Sequence, residues 1–465
     1  MKRIVPMLLA GIAAGGCLMG PDYKRPQIET RGAFRAAAEG RSSEPTGRQG
    51  LGDQRWSQVF RDPTLQQLIR RALEQNLDVG IAAARILQAE AQLGISRADQ
   101  LPSISAGGSG SRQRLPEQGS MPPAEVTTWQ LSGTASWQLD FWGKYRRASE
   151  AARADLLAAE WGRRAVITTL VADLAGAYFQ LRELDLELEI TRRTVGSRRS
   201  SLDLVKLQEK QGTVSMLDVR QAEQLVIGAN LTILDLERRI AQQENFIRVL
   251  LGANPGPVPR GQPLVAQPHD EVVPAGLPSS LLQRRPDIRV AEQRLIAANA
   301  RIGVARAAYF PDIALTATGG FQSSALADLL TAPARLWSVA ASLTQTIFAG
   351  GRVRAGVKLS EGQQREALLV YRQTILLSFR EVSDALIDYR TSREFRTEQQ
   401  LLTDSARDAA RLSDSRYRGG TASYLEVLDS QTRFFAAELG LAQAQLGELL
   451  ALVQLYRALG GGWQG

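Results

Sequence analysis

The chain has 465 residues, 44% hydrophobic and 22% charged, the make-up of an ordered protein rather than a disordered one. Its net charge of +8 is almost all arginine, since only six lysines occur, and the arginines alternate with acids and Gln along helical stretches such as 192–210. With no module of base-stacking aromatics, that pattern reads as solvated helix faces and argues against nucleic-acid binding. A single His and a single Cys remove His-based triads, thiol catalysis and most zinc sites, and no nucleophile-elbow or phosphate-loop motif follows a strand. The expectation is no enzyme, no catalytic residue, no metal and no cofactor.

The chain opens MKRIVPMLLAGIAAGGC. Lys2 and Arg3 precede an apolar run too short to span a bilayer, so residues 1–16 read as an export signal. Ala14-Gly15-Gly16-Cys17 resembles the lipobox of bacterial lipoproteins, which makes Cys17 the expected carrier of a covalent lipid and 17–62 a lipidated N-terminal segment. Leu18 after it favours the outer over the inner membrane.

The body of the chain is an internal repeat. Residues 77–105 align with 286–314, GTVSMLDV (212–219) with GTASYLEV (420–427), and the offset stays at 208 or 209. Repeat 1 spans 63–252 and repeat 2 spans 278–460, with a Pro/Gly-rich linker at 253–277 that holds His269 and a tail at 461–465. Each repeat reads as helix, strand pair, very long helix, glycine turn and medium helix. The opening helices are expected at about 63–98 and 278–308, and the long ones at about 144–211 and 352–417. The returning helices end near 251 and 459. A helix of about 68 residues is about 100 Å long, too long for a globular domain. Runs such as Leu181, Leu184, Leu188 and Leu217, Leu225 suit side-by-side packing in a tube. Gly212 and Arg418-Gly419-Gly420 mark the two helix tips by their turn chemistry.

Strands are expected at about 103–113, 128–141, 312–321 and 336–348. Along the second, Trp129, Leu131, Trp137, Leu139 and Phe141 alternate with Gln, Ser, Thr and Asp, and Trp337, Val339 and Leu343 mark the apolar side of the fourth. About ten residues is what a tilted strand needs to cross a bilayer core. An open sheet cannot stand in lipid, and four strands cannot close alone. The chain must therefore assemble with copies of itself, the Trp/Leu side against lipid and the Gln/Ser/Thr side around an aqueous bore.

GPDYKRP (20–26), WSQVFRDPTLQQLIRRALEQNLD (56–78) and LPSSLLQRRPDIRVAEQRLIAANARIGVARAAYFP (277–311) carry a resemblance that extends over essentially the whole chain. It resembles the TolC-like outer-membrane efflux factors of the lipidated OprM type. The resemblance implies a mostly α fold with transmembrane β: a homotrimer whose four strands per protomer make a 12-stranded β-barrel, continued by long antiparallel helices as an α-barrel through the periplasm. It implies a passive, gated exit duct of a tripartite pump for drugs or other small molecules. The expected partners are a periplasmic adaptor (membrane fusion) protein and an inner-membrane RND-type transporter. A duct for type I protein secretion or for metal efflux is the alternative. By the same resemblance Glu426 and Asp429, with Asp218 and Gln221 at the matching positions of repeat 1, line the periplasmic aperture, and Gly212, Arg418, Gly419 and Gly420 contact the adaptor. Where many lipidated relatives carry Arg three residues after the matching Asp, this chain has Thr432 and then Arg433, so an inter-subunit ionic lock is not carried over.

Overall fold

The computed structural model describes residues 18–27, 51–117, 122–267 and 278–463. The signal at 1–16, Cys17, His269 and parts of the 17–62 and 253–277 segments lie outside the described residues. Helices α1 (Pro63–Gln75) and α2 (Leu77–Ala98) lead into β1 (Ser103–Leu115) and β2 (Ala124–Leu139). Then come α3 (Lys144–Lys210) and α4 (Met216–Leu250). The second half follows the same order with α5 (Pro278–Arg284), α6 (Pro286–Ala307), β3 (Asp312–Ser323), β4 (Arg335–Thr344), α7 (Arg352–Arg418) and α8 (Tyr424–Ala458). The long helices α3 and α7 are both 67 residues, and α4 and α8 are both 35. No helix among the described residues is long and apolar enough to cross a membrane.

The expected single opening helix, 63–98, is two helices. Asn76 interrupts it: its Oδ1 accepts the Asp78 and Val79 N–H groups, capping α2, while its Nδ2 donates to the Leu250 carbonyl at the end of α4 at 2.9 Å. The expected helix 278–308 is likewise split, because the residue before Pro286 is pushed out of the helical region. Arg285 takes the place of Asn76 there and donates Nη1 to the Ala458 carbonyl at 3.0 Å. In each half, then, a side chain at the helix joint satisfies an orphan carbonyl of the returning helix.

The chain forms two compact units that cut across the repeats, each repeat contributing to both. One takes in the stretch up to Gln27, Ala84–Glu160 and Val290–Arg372, and holds the sheet. Its α3 and α6 pack through Ala151, Ala154, Ala297 and Ala300. The segment from Leu18 is strapped beneath the strands: Met19 N–H bonds the Trp142 carbonyl, and Asn299 Nδ2 donates to Pro21 O at 2.8 Å. The buried Arg147 donates to Met19 O at 3.1 Å and to Asp22 at 2.7 Å.

The other unit takes in 51–83, Trp161–Arg289 and the chain from Gln373. Its core joins Leu65 and Ile69 of α1, Leu174, Tyr178 and Leu181 of α3, Ile247 of α4, Val382 of α7, and Leu455 and Tyr456 of α8. Leu184 is buried as the tube packing requires, whereas Leu217 stands exposed: period shows which side of α4 is apolar, not what covers it.

The strand limits shift from expectation. β2 begins at Ala124 because its apolar alternation changes phase at Thr128 while the ladder to β1 continues without a break. It ends at Leu139, so Phe141, expected on the lipid side of the strand, lies instead in the turn before α3. The Asp140 carboxylate accepts the Tyr145 and Arg146 N–H groups there and caps that helix. β4 runs from Arg335 and stops at Thr344, opposite Asp312, the first residue of β3, so Ile347 and Phe348 fall outside it.

Candidate functional site

The four strands form one antiparallel sheet in the order β1-β2-β3-β4. Across one side the register stacks Leu139–Ile313–Leu343, Trp137–Leu315–Ala341, Ala135–Ala317–Val339 and Gly133–Gly319–Trp337. Leu131 meets Phe321, and β1 adds Ile104, Ala106 and Gly108. The Trp129 ring lies on Gly110, where a Cβ would come within 2.4 Å of it. Trp337 is 80% and Val339 74% exposed, and Leu131, Trp137 and Leu343 are exposed with them, so in the single chain much of this apolar side stands uncovered. Arg112, Arg114, Glu125 and Arg335 close this band at one end. Beyond the other end Trp142 stacks on Phe310, ring centroids 4.5 Å apart, and donates Nε1 to the Pro311 carbonyl. The apolar stretch of β2, Trp129 to Leu139, matches the roughly 10 residues of a membrane strand.

The opposite side stacks Ser103–Ser136–Thr316, Ser105–Thr134–Thr318 and Gln130–Gln322. Hydroxyls pair across it, Ser103 Oγ to Ser136 Oγ at 2.8 Å and Thr134 to Thr318 at 3.3 Å. Apart from Asp312 at the rim, which faces Lys144, no charged side chain among the described residues lies on this side of the strands. β1 and β4 end the sheet, each with one ladder edge unpaired among the described residues.

The second feature is the pair of helix tips. Gly212 and Gly420 have φ of +72° and +71°, the left-handed region that glycine enters without strain. After them the Thr213 N–H bonds Gln208 O and the Thr421 N–H bonds Arg416 O, the same six-to-one closure at both tips. Gly419 lacks a positive φ and donates to Ser415 O; Arg418 pairs with Asp414 at 2.8 Å. Between the tips Tyr417 lies tilted against Tyr424, ring centroids 5.3 Å apart, and donates to Gln208, over a core of Leu202, Val205, Val219 and Val427. Burial first, then Tyr417 and Asp218, push Tyr424 up to about 12.

Of the expected aperture residues, Asp218 belongs to a capping box with Ser215, accepting its N–H at 2.9 Å. Gln221 is half-buried one turn further on. Glu426 and Asp429 lie in the first turns of α8, each with an arginine of its own chain: Arg416 at 3.1 Å from Glu426 and Arg433 at 2.8 Å from Asp429. Arg198 is a tip residue that its sequence context conceals, one of two adjacent arginines in SRRSS. It is buried, sits 5.0 Å from the Phe435 ring centroid and donates to the Leu225 carbonyl, and burial lowers its pKa.

The family described as outer membrane efflux protein matches the chain over residues 68–253 and 277–461, one stretch in each half. The toluene efflux pump outer membrane protein TtgC of Pseudomonas putida is 37% identical over 468 residues, covering 99% of this chain and 96% of that protein. The cation efflux system protein CusC of Escherichia coli is 34% identical over 465 residues, 99% of each. The outer-membrane channel OprN superposes with a TM-score of 0.90 at 31% identity, over 97% of this chain and 100% of that one. With its sheet, its tips and both halves matched, this chain belongs to the outer membrane efflux protein family.

Proposed function

We propose that three copies of this chain form the gated exit duct of a tripartite pump, carrying small organic molecules across the periplasm and outer membrane. The protein is a conduit and not an enzyme, so energy comes from an inner-membrane RND-type transporter joined through a periplasmic adaptor. The observation that carries this reading is the open, two-faced sheet. Four strands with bare edges and an uncovered apolar side are stable in lipid only when closed into a barrel, and three copies supply twelve strands.

The helices supply a second argument for self-assembly. Ile227, Leu231, Leu234 and Phe246 of α4 stand exposed, as do Leu376, Ile387, Phe395 and Leu402 of α7. The repeat counterparts of Leu234 and Ile387, Ala442 on α8 and Phe179 on α3, are buried within the chain. One half thus leaves α4 open and the other leaves α7 open, and two unlike faces suit head-to-tail contacts that close a ring. The tips at Gly212 and Arg418–Gly420 are the adaptor contacts, and Glu426 and Asp429, with Asp218 and Gln221, line the aperture. A lipid on Cys17 adds an anchor to the outer membrane. The similarity to CusC favours a second reading, a duct for cations.

Native mass measurement in detergent, with planar-bilayer conductance, tests the proposal. A trimer of low resting conductance is expected. A stable monomer, or a wide channel with no closed state, overturns it. Deleting the gene and measuring sensitivity to organic solvents and to metal-cation salts separates the two cargo readings.

A further inference from the structure

Near the middle of α3, Glu183 and Glu187 stand one helical turn apart with both side chains buried, at 3% and 4% exposure. Four residues apart on one helix face, their carboxyl groups are neighbours. Among the described residues one cation reaches them: Arg239 of α4, with Nη1 3.5 Å from Glu187 Oε2. From α8 Gln443 donates Nε2 to Glu187 Oε1 at 3.1 Å. The other charges around the pair are matched elsewhere. Arg182 faces Asp185, Arg192 faces Glu237 on α4, and Arg193 faces Glu438 on α8. On α7, Arg393 and Arg396 both face Glu448 of α8. Two buried acids against one arginine leave a negative charge in excess, and ionised carboxylates are acceptors only. They bond to each other only while one keeps its proton.

We propose that Glu183 and Glu187 retain one shared proton in the folded protein and act as a proton-operated latch that holds α3 against α4 and α8 and loosens when the proton leaves. Burial, then the hydrogen bond to Glu187 and its charge, push Glu183 up to about 8, against the pull of Arg239. A carboxyl that titrates at 4.5 when unexceptional and at about 8 in the fold adds stability that is complete in acid. That stability drains away as the pH rises through the folded value. Titration of Glu183 stands independently of the duct reading; its effect on flux rests on that reading.

Infrared spectroscopy of the full-length protein in detergent, from about pH 6 to about pH 10, reads the proton directly. The wild type should show a protonated-carboxyl C=O band that titrates away near pH 8, and Glu183→Gln should lack it. In parallel, the wild-type thermal midpoint should fall over the same range, while Glu183→Gln, an isosteric mimic of the protonated acid, stays flat and melts higher at the alkaline end. A wild type without the titrating band overturns the latch, and so does a Glu183→Gln protein that keeps the full wild-type slope. Neither readout measures transport, so a monomeric or permanently wide-open protein would sink the duct while leaving the latch standing.

Discussion

Arg433 reaches back one turn along α8 and sets its Nε 2.8 Å from Asp429 Oδ2, so an acid expected to ring the aperture carries its own counter-ion. Arg416 does the same for Glu426 across the tip. Both pairs are exposed and add little stability, so they yield readily to other partners when three tips converge. The Glu426→Ala, Asp429→Ala double variant should raise single-channel conductance several-fold. Arg433→Ala alone should leave the opening unchanged in size and more cation-selective, read as a shifted reversal potential in a salt gradient. Conductance equal to wild type in the double variant would remove both acids from the constriction.

Two adjacent glycines of β3 test the sheet. A Cβ on Gly320 would lie 2.2 Å from the Leu131 carbonyl, whereas one on Gly319 meets nothing within 4 Å. Overpacking of this kind costs about 1–3 kcal/mol even where neighbours can shift, and here the neighbour is backbone. Gly320→Val should lower the yield of folded oligomer in outer-membrane fractions several-fold, while Gly319→Ala stays near wild type. Equal yields would mean that β2 and β3 do not pair in this register.

Asp62 joins three segments of the helical unit. It caps α1 through the Thr64 N–H and accepts from Tyr178 Oη at 2.8 Å, Gln262 N–H at 2.9 Å and Gln267 Nε2 at 3.0 Å. Burial would push its pKa up, but these hydrogen bonds win and hold it below the usual carboxylate value. Its stabilising contribution is therefore present above the ordinary carboxylate range and lost as the pH falls through the depressed value. Asp62→Ala should cost about 3 kcal/mol in urea unfolding at neutral pH, and the variant should lose part of the acid sensitivity of the wild type. A loss within about 0.5 kcal/mol would show that the linker does not depend on this carboxylate.

Cys17→Ser should abolish labelling with an acyl-chain precursor and leave the barrel to hold the protein in the membrane. One lipidated residue is a modest anchor beside the proposed twelve-stranded barrel. Mass spectrometry that finds wild-type Cys17 without an acyl chain refutes the lipid.

The sheet was legible because a period of two marks both of its sides at once, and the long helices because nothing interrupts them between glycine turns. The joints at Asn76 and Arg285 were not. Each lies inside a helical pattern, and its decisive bond runs to a carbonyl some 170 residues away. The burial of Glu183, Glu187 and Arg198 was hidden for a related reason: in an arginine-rich helix a covered charge and a solvated one look alike until the neighbouring helices are placed. The in-chain pairing of Glu426 also depends on a turn folding back, which spacing along one helix does not report.

Serine, threonine and glutamine line the wet side of the strands, with Asp312 as their one fixed charge. Surfaces of that kind offer donors and acceptors in equal measure and grip no solute by the sign it bears. A passenger small enough to enter is neither held back nor drawn on by them. In the proposed duct these strands therefore sort no passenger by charge, and discrimination falls to the tips and to whatever loads it.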